Sequence, residues 1–188
     1  ALSDYNAQAG AGGIFVGTAA SSVTDVNNTT VAAVGSGARI EVVGDFFDPG
    51  ALSIEAHNDL YARDKTLNET YGAITGAGAT SKVRAGYDPV SGSTGGANDD
   101  FDETVDDNPY KTTVDIGAGA EITTIGEAVL AAGNDATVYV APKVKTGGLA
   151  SAGAIDGEAN IHATNEVTVG AGARIDRKST RLNSSHYS

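Results

Sequence analysis

The stretch VGSGARI at residues 34–40 returns as IGAGAEI at 116–122 and as VGAGARI at 169–175. An aliphatic residue, two glycines one residue apart and a closing isoleucine spell a strand, a tight turn and a second strand. Glycine takes the backbone geometry of such a turn without steric cost. Three copies in one chain point to a fold made by repetition, in which each unit buries its apolar side chains against its neighbour. The copies start 82 and 53 residues apart, so the repeat is not a strict short-period array.

A second echo lies beside the first. IEAHNDLYA at 54–62 aligns with IHATNEVTV at 161–169, sharing Ile-x-Ala-x-Asn-acid-aliphatic. Apolar side chains on alternate positions read as a strand with one buried face. The pairs Asn58-Asp59 and Asn165-Glu166 are expected to form corners, since Asn tolerates a left-handed backbone. Residues 13–18, 30–34, 82–85, 137–140 and 159–163 also read as strands. The segment EAVLAA at 127–132 is the one plausible helical turn, too short to stand alone.

The wider composition narrows the function classes. Twenty-five glycines, no Cys, Met or Trp, and aromatics at 6% supply a slim core of Val, Ile, Leu and Ala better than a bulky one. The absence of Cys excludes disulfides and thiolate metal sites. A net charge of −12 argues against nucleic acid, which needs clustered Lys and Arg, and against an anionic membrane surface. No apolar run is long enough to insert in a membrane. The chain begins on Ala1 without an export-type leader, and is expected to be an internal piece of a longer protein.

Two segments are unlike the rest of the chain. Residues 87–110, YDPVSGSTGGANDDFDETVDDNPY, read as a long acidic loop excursion between two repeats. Residues 176–188, DRKSTRLNSSHYS, resemble the translation of a sequencing adapter and are set aside from fold reasoning. Without that tail's three basic and one acidic residues the charge is −14. The repeat segment is therefore 1–175.

Short strands, glycine corners and small inward residues predict an all-β chain wound as a right-handed parallel β-helix, or solenoid. At roughly 20–25 residues per coil it would hold about seven or eight coils. The three heptads and the paired Ile-x-Ala-x-Asn units resemble the β-helical shafts of filamentous-haemagglutinin-like and giant bacterial exoproteins. That resemblance implies an extracellular or cell-surface location and a structural or adhesive role. It implies extracellular surface, matrix or glycan ligands, neighbouring repeats of the parent chain as packing partners, and no enzymatic activity.

Several residue patterns bear on more specific functions. A dinucleotide fingerprint needs Gly or Ala at its sixth position, where Ile40, Ile122 and Ile175 stand, with no helix following. Asp99, Asp100, Asp102, Glu103, Asp106 and Asp107 offer the oxygen ligands of weak calcium binding, without a known calcium-loop spacing; no other cofactor is expected. A carbohydrate-active β-helix enzyme would use paired carboxylates, for which Asp99 with Asp100 and Asp45 with Asp48 are candidates, unaccompanied by a His and Arg cluster. His57 and His162 are expected as exposed polar residues. Tyr61, Tyr71, Tyr87 and Tyr110 could stack on sugars but form no regular row in sequence. The glycosylation sequons at Asn27, Asn28 and Asn68 carry no weight.

Overall fold

The computed structural model describes residues 4–45, 47, 49–86 and 110–178. Among them are ten strands and no helix: β1 (Ala7–Val26), β2 (Asn28–Val34), β3 (Arg39–Glu41), β4 (Leu52–Ala85), β5 (Tyr110–Ile116), β6 (Glu121–Thr124), β7 (Ala128–Gly147), β8 (Ala150–Ile161), β9 (Thr164–Val169) and β10 (Arg174–Arg177). The chain divides into two compact units. The first comprises Ala1–Asn28, Asp59–Lys111 and Asp135–Thr164; the second comprises Thr29–Asn58, Thr112–Asn134 and Asn165–Ser188. Each is assembled from three distant stretches, as parallel pairing requires, because parallel neighbours cannot be joined by a tight hairpin.

In the first unit β1 pairs parallel with β4 from Ala7↔Thr66 to Val26↔Ala85. On the other side of β4, β8 pairs parallel from Ile74↔Ala150 to Ala85↔Ile161. Burial along β4 changes parity midway. Leu60, Ala62, Asp64, Thr66, Asn68 and Thr70 are buried before Gly72, and Thr75, Ala77, Ala79, Ser81, Val83 and Ala85 after it. Side chains alternate faces along a strand, so a switch from even to odd marks a bend. Gly72 permits it: a Cβ there would lie 2.1 Å from the Gly13 carbonyl oxygen, and one at Gly148 would lie 2.1 Å from that of Gly72. The apolar part of the core is Leu60, Ala62, Val83, Ala85 and Tyr110, with Val26, Val138 and Val140 against it.

The second unit contains the sheets β2–β5–β9 and β3–β6–β10. In the latter Ile40, Ile122 and Ile175 stand in register, as do Arg39, Glu121 and Arg174. The core is Ala56, Val114, Ile116, Ala120 and Ile122, flanked by Val34, Ile40, Ile54 and Leu130. The middle heptad is the enclosed one. Ile116 and Ile122 are 0% and 1% exposed, whereas Val169 and Ile175 of the third are 50% and 41% exposed. A fully buried isoleucine contributes about 1.5–3 kcal/mol, so the outer pass realises roughly half of what the middle one does.

The all-β, parallel character agrees with the sequence reading; several finer expectations do not. Residues 128–132 belong to strand β7 rather than a helical turn, because six residues gain too little from helical hydrogen bonds to outweigh a parallel neighbour. Asn58-Asp59 and Asn165-Glu166 lie inside β4 and β9, and no described residue other than glycine has a positive φ. Asn tolerates the left-handed region but does not require it. The echo at 54 and 161 is not a stacked pair, since Ile161 pairs with Ala85. The register offsets are 59 and 76 residues in the first unit and 82 and 53 in the second, far above the expected 20–25. Tyr110, expected at the rim of the acidic excursion, is buried at the start of β5.

Candidate functional site

Each heptad folds as the same turn. The amide of its fifth residue donates to the carbonyl of its second: Ala38 to Gly35 at 3.1 Å, Ala120 to Gly117 at 3.2 Å and Ala173 to Gly170 at 3.1 Å. The fourth residues, Gly37, Gly119 and Gly172, have φ of 69°, 70° and 73°. This is the left-handed region that an L side chain enters at a cost. Between turns the bonds repeat as well. Gly117 N donates to Val34 O at 2.8 Å and Gly170 N to Ile116 O at 2.7 Å. Glu121 N and Arg174 N donate to Ala38 O and Ala120 O, each at 2.8 Å, and Gly37 N and Gly119 N donate back to Ala118 O and Ala171 O at 2.9 and 3.0 Å. The first glycine of the later turns is dictated by this approach: a Cβ on Gly117 would sit 2.5 Å from Ser36 N, and one on Gly170 2.6 Å from Ala118 N.

Two cations beside these turns converge on Glu41. Lys178 Nζ reaches Glu41 Oε1 at 2.6 Å, and Arg39 lies 3.6 Å from the same carboxylate. The hydrogen bond and charge of Lys178, then the charge of Arg39, hold the exposed Glu41 carboxyl below its usual range. Backbone pairing is indifferent to side chains, so β10 runs past Ile175 through Asp176 and Arg177. An open hollow of about 510 Å³ is lined by Thr124, Glu127, Ile175, Asp176 and Arg177.

The interior of the first unit is polar where the composition predicts aliphatic packing. Asp64 is wholly enclosed and accepts hydrogen bonds from Ser22 Oγ at 2.8 Å, Thr24 Oγ1 at 2.7 Å and Ser81 Oγ. Asn68 is equally enclosed. Its amide donates to Thr18 O and Gly78 O, both at 2.8 Å, and its Oδ1 accepts from Thr18 Oγ1 at 2.6 Å. Buried polar groups keep their desolvation cost small only when so satisfied. Lys82 pairs with Glu158 at 3.0 Å and Arg84 forks onto Asp25 at 2.6 and 2.8 Å, each across one ladder step.

An outward face of the same unit gathers aromatic and cationic side chains. Tyr61, Tyr71 and Tyr139 are 72%, 53% and 50% exposed. Arg63 Cζ and Lys65 Nζ stand 5.9 and 5.5 Å from the Tyr139 ring centroid, within cation–π range. Arg63 Nη2 donates to both Asp4 carboxylate oxygens at 2.9 Å, and Lys65 Nζ to one at 2.9 Å. Lys145 pairs with Glu69, whose hydrogen bond and charge raise the lysine's pKa. Exposed tyrosines beside cations make a flat surface that can stack on sugar rings and hydrogen-bond their hydroxyls.

The predicted site residues are scattered. Asp99, Asp100, Asp102, Glu103, Asp106 and Asp107 lie outside the described residues, as do Asp48 and Tyr87. Asp45 accepts the Phe47 amide at 2.8 Å, a local turn bond. His57 and His162 are exposed, each in its own unit. Of the tyrosines, Tyr61 and Tyr71 share the exposed face; Tyr110 is buried, with its hydroxyl donating to Asp135 O at 2.9 Å. Burial first, then the charges of Asp59 and Asp135, raise its pKa above 10.0. The Asn68 sequon is enclosed and offers no acceptor amide to the surface. Tyr139, Arg63 and Lys65 were missed, because a row formed by cross-strand register has no spacing in sequence. Comparison with known protein families, curated proteins and solved structures returned no match.

Proposed function

We propose that this chain is a segment of a right-handed parallel β-helical shaft from an exported, cell-surface repeat protein, structural and adhesive in role and without catalysis. The observation that carries the reading is the in-register stack of three like turns in the second unit, with glycine at the two positions, 117 and 170, where a Cβ would strike the preceding turn's backbone. Right-handed winding follows from the strong preference of parallel crossovers for that hand. Function is then mechanical: successive windings hold outer faces such as Tyr61, Tyr71 and Tyr139 away from a cell surface for weak, multivalent contact with glycans or matrix.

Two measurements test this. The chain has no native cysteine, so Ser36→Cys with Ala118→Cys should oxidise to a disulfide. Ser36→Cys with Ala171→Cys, two strand spacings apart, lies beyond bridging distance. Equal intramolecular crosslinking of both pairs, read on the monomer at low protein concentration and low salt, would refute the winding. For adhesion, beads densely coated with the chain should bind a panel of neutral and acidic polysaccharides, with binding reduced in the Tyr61→Ala, Tyr71→Ala double variant. A flat response over the whole panel would remove the adhesive half of the proposal.

A further inference from the structure

The turn stack has two outer edges, and they match each other. In every internal junction the second and sixth residues of the later turn donate to the first and fifth of the earlier one, while the earlier turn's fourth residue donates to the later turn's third. By that rule Gly35 N and Arg39 N point away from the stack at one edge, and Val169 O and Ala173 O at the other. The side chains agree: Val169 and Ile175 are left 50% and 41% exposed, where the same positions of the middle turn are 0% and 1% exposed.

Gly35 supplies an independent observation. It has no positive φ, and a Cβ added there would meet nothing within 4 Å. The chain's own fold therefore does not ask for glycine at this position. Its counterparts Gly117 and Gly170 are required only because a preceding turn presses on them at 2.5 and 2.6 Å. The first unit carries the same mark by itself: Gly72 and Gly148 are forced by a carbonyl at 2.1 Å, whereas a Cβ on Gly13 would meet only the Val16 side chain, at 3.1 Å. A glycine where another winding would have to press, at an edge lined with matching donors, is the imprint of a stacked turn.

From this we infer that the second unit docks a second copy of the chain head to tail, the 169–175 turn of one copy receiving the 34–40 turn of the next. The two outer heptads, VGSGARI and VGAGARI, differ only at Ser36 and Ala171, so the new junction repeats the internal geometry. The contact joins unlike edges and does not close, so it grows as an open series. One feature opposes it. Within the chain Glu121 separates Arg39 from Arg174, but at the new junction Arg174 would face Arg39. Repulsion between exposed like charges is screened by salt, so stacking strengthens as salt rises.

The inference rests on the observed turn stack and not on the adhesive role. It is tested by light scattering and sedimentation of the full chain across a wide concentration range, at low salt and at about 1 M NaCl. The wild type should grow into a concentration-dependent series at high salt. Gly35→Ala should abolish that growth with an unchanged circular dichroism spectrum and melting temperature, and Arg174→Gln, which removes the Arg174–Arg39 repulsion without setting a second carboxylate beside Glu121, should move it to low salt. A wild type that stays monomeric in both salts, a closed dimer that grows no further, or a Gly35→Ala variant that assembles like the wild type would each overturn the proposal. None of these outcomes bears on whether the tyrosine face binds glycans.

Discussion

Asp64 shows how a side chain that reads as surface can anchor an interior. It is fully enclosed, and Ser22, Thr24 and Ser81 all spend their hydroxyl protons on it. Asp64→Ala should cost about 2–4 kcal/mol in urea unfolding, because buried donors lose their common acceptor; a loss under about 0.5 kcal/mol would mean the hydroxyls re-pair among themselves. Tyr110 makes the complementary case for pH. Its folded pKa is raised above 10.0, so the stability it confers is complete below about pH 10 and is lost as pH climbs through the folded value. Ultraviolet titration of the wild type against Tyr110→Phe should show that the tyrosine removed is one that ionises late. Tyr110→Phe should flatten the alkaline decline in melting temperature, at a cost near neutrality of about 1 kcal/mol for the hydrogen bond to Asp135 O. An unaltered alkaline decline in the variant would assign it to other groups.

At the scale of the elements, three glycines drawn from two of the turns separate three physical effects. Gly117→Ala drives a methyl to within 2.5 Å of backbone, so the neighbouring turn must move; the loss should exceed about 3 kcal/mol, in the range of severe overpacking. Gly119→Ala meets no atom within 4 Å but holds φ at 70°, and should lose about 1–2 kcal/mol. Gly35→Ala has neither problem and should leave the monomer's melting temperature unchanged or slightly raised, through the unfolded chain's lower entropy. Thermal unfolding of the three variants checks the order, and a Gly35→Ala loss as large as that of Gly119→Ala would break it. The turn itself was legible in sequence because Gly37, Gly119 and Gly172 recur with flanking aliphatics. The length of each winding was not. β1, β4 and β7 run for 20, 34 and 20 residues without breaking at the Gly, Asn, Asp and Pro residues they contain, and only cross-strand register shows that Val26 sits beside Ala85. The Asn58 corner failed for a related reason: its side chain is 3% exposed on the inward face of a continuous strand. The polar interior escaped notice because Asp64, Thr66, Asn68 and Thr70 share the alternation of a buried face but not its hydrophobicity.

For the molecule as a whole, charge is the property the composition states most directly. Twenty-four acidic residues face twelve basic ones, and many of the described cations are already committed: Lys82 to Glu158, Arg84 to Asp25, Arg63 and Lys65 to Asp4, Lys145 to Glu69 and Lys178 to Glu41. The surplus carboxylates therefore repel one another, and such self-repulsion destabilises a compact state until salt screens it. Raising NaCl from a few millimolar should lift the melting temperature by about 2–4 °C, the shift that about 1 kcal/mol produces in a chain of this length. The same series in CaCl2 at matched ionic strength separates screening from binding. If Asp99, Asp100, Asp102, Glu103, Asp106 and Asp107 hold calcium, the calcium curve rises above the sodium curve at millimolar concentrations, and deleting residues 98–107 brings the two together. Coincident curves in the intact chain would assign the whole effect to screening and leave the acidic segment without a calcium site. A gap that survives the deletion would place the calcium elsewhere on the acidic surface.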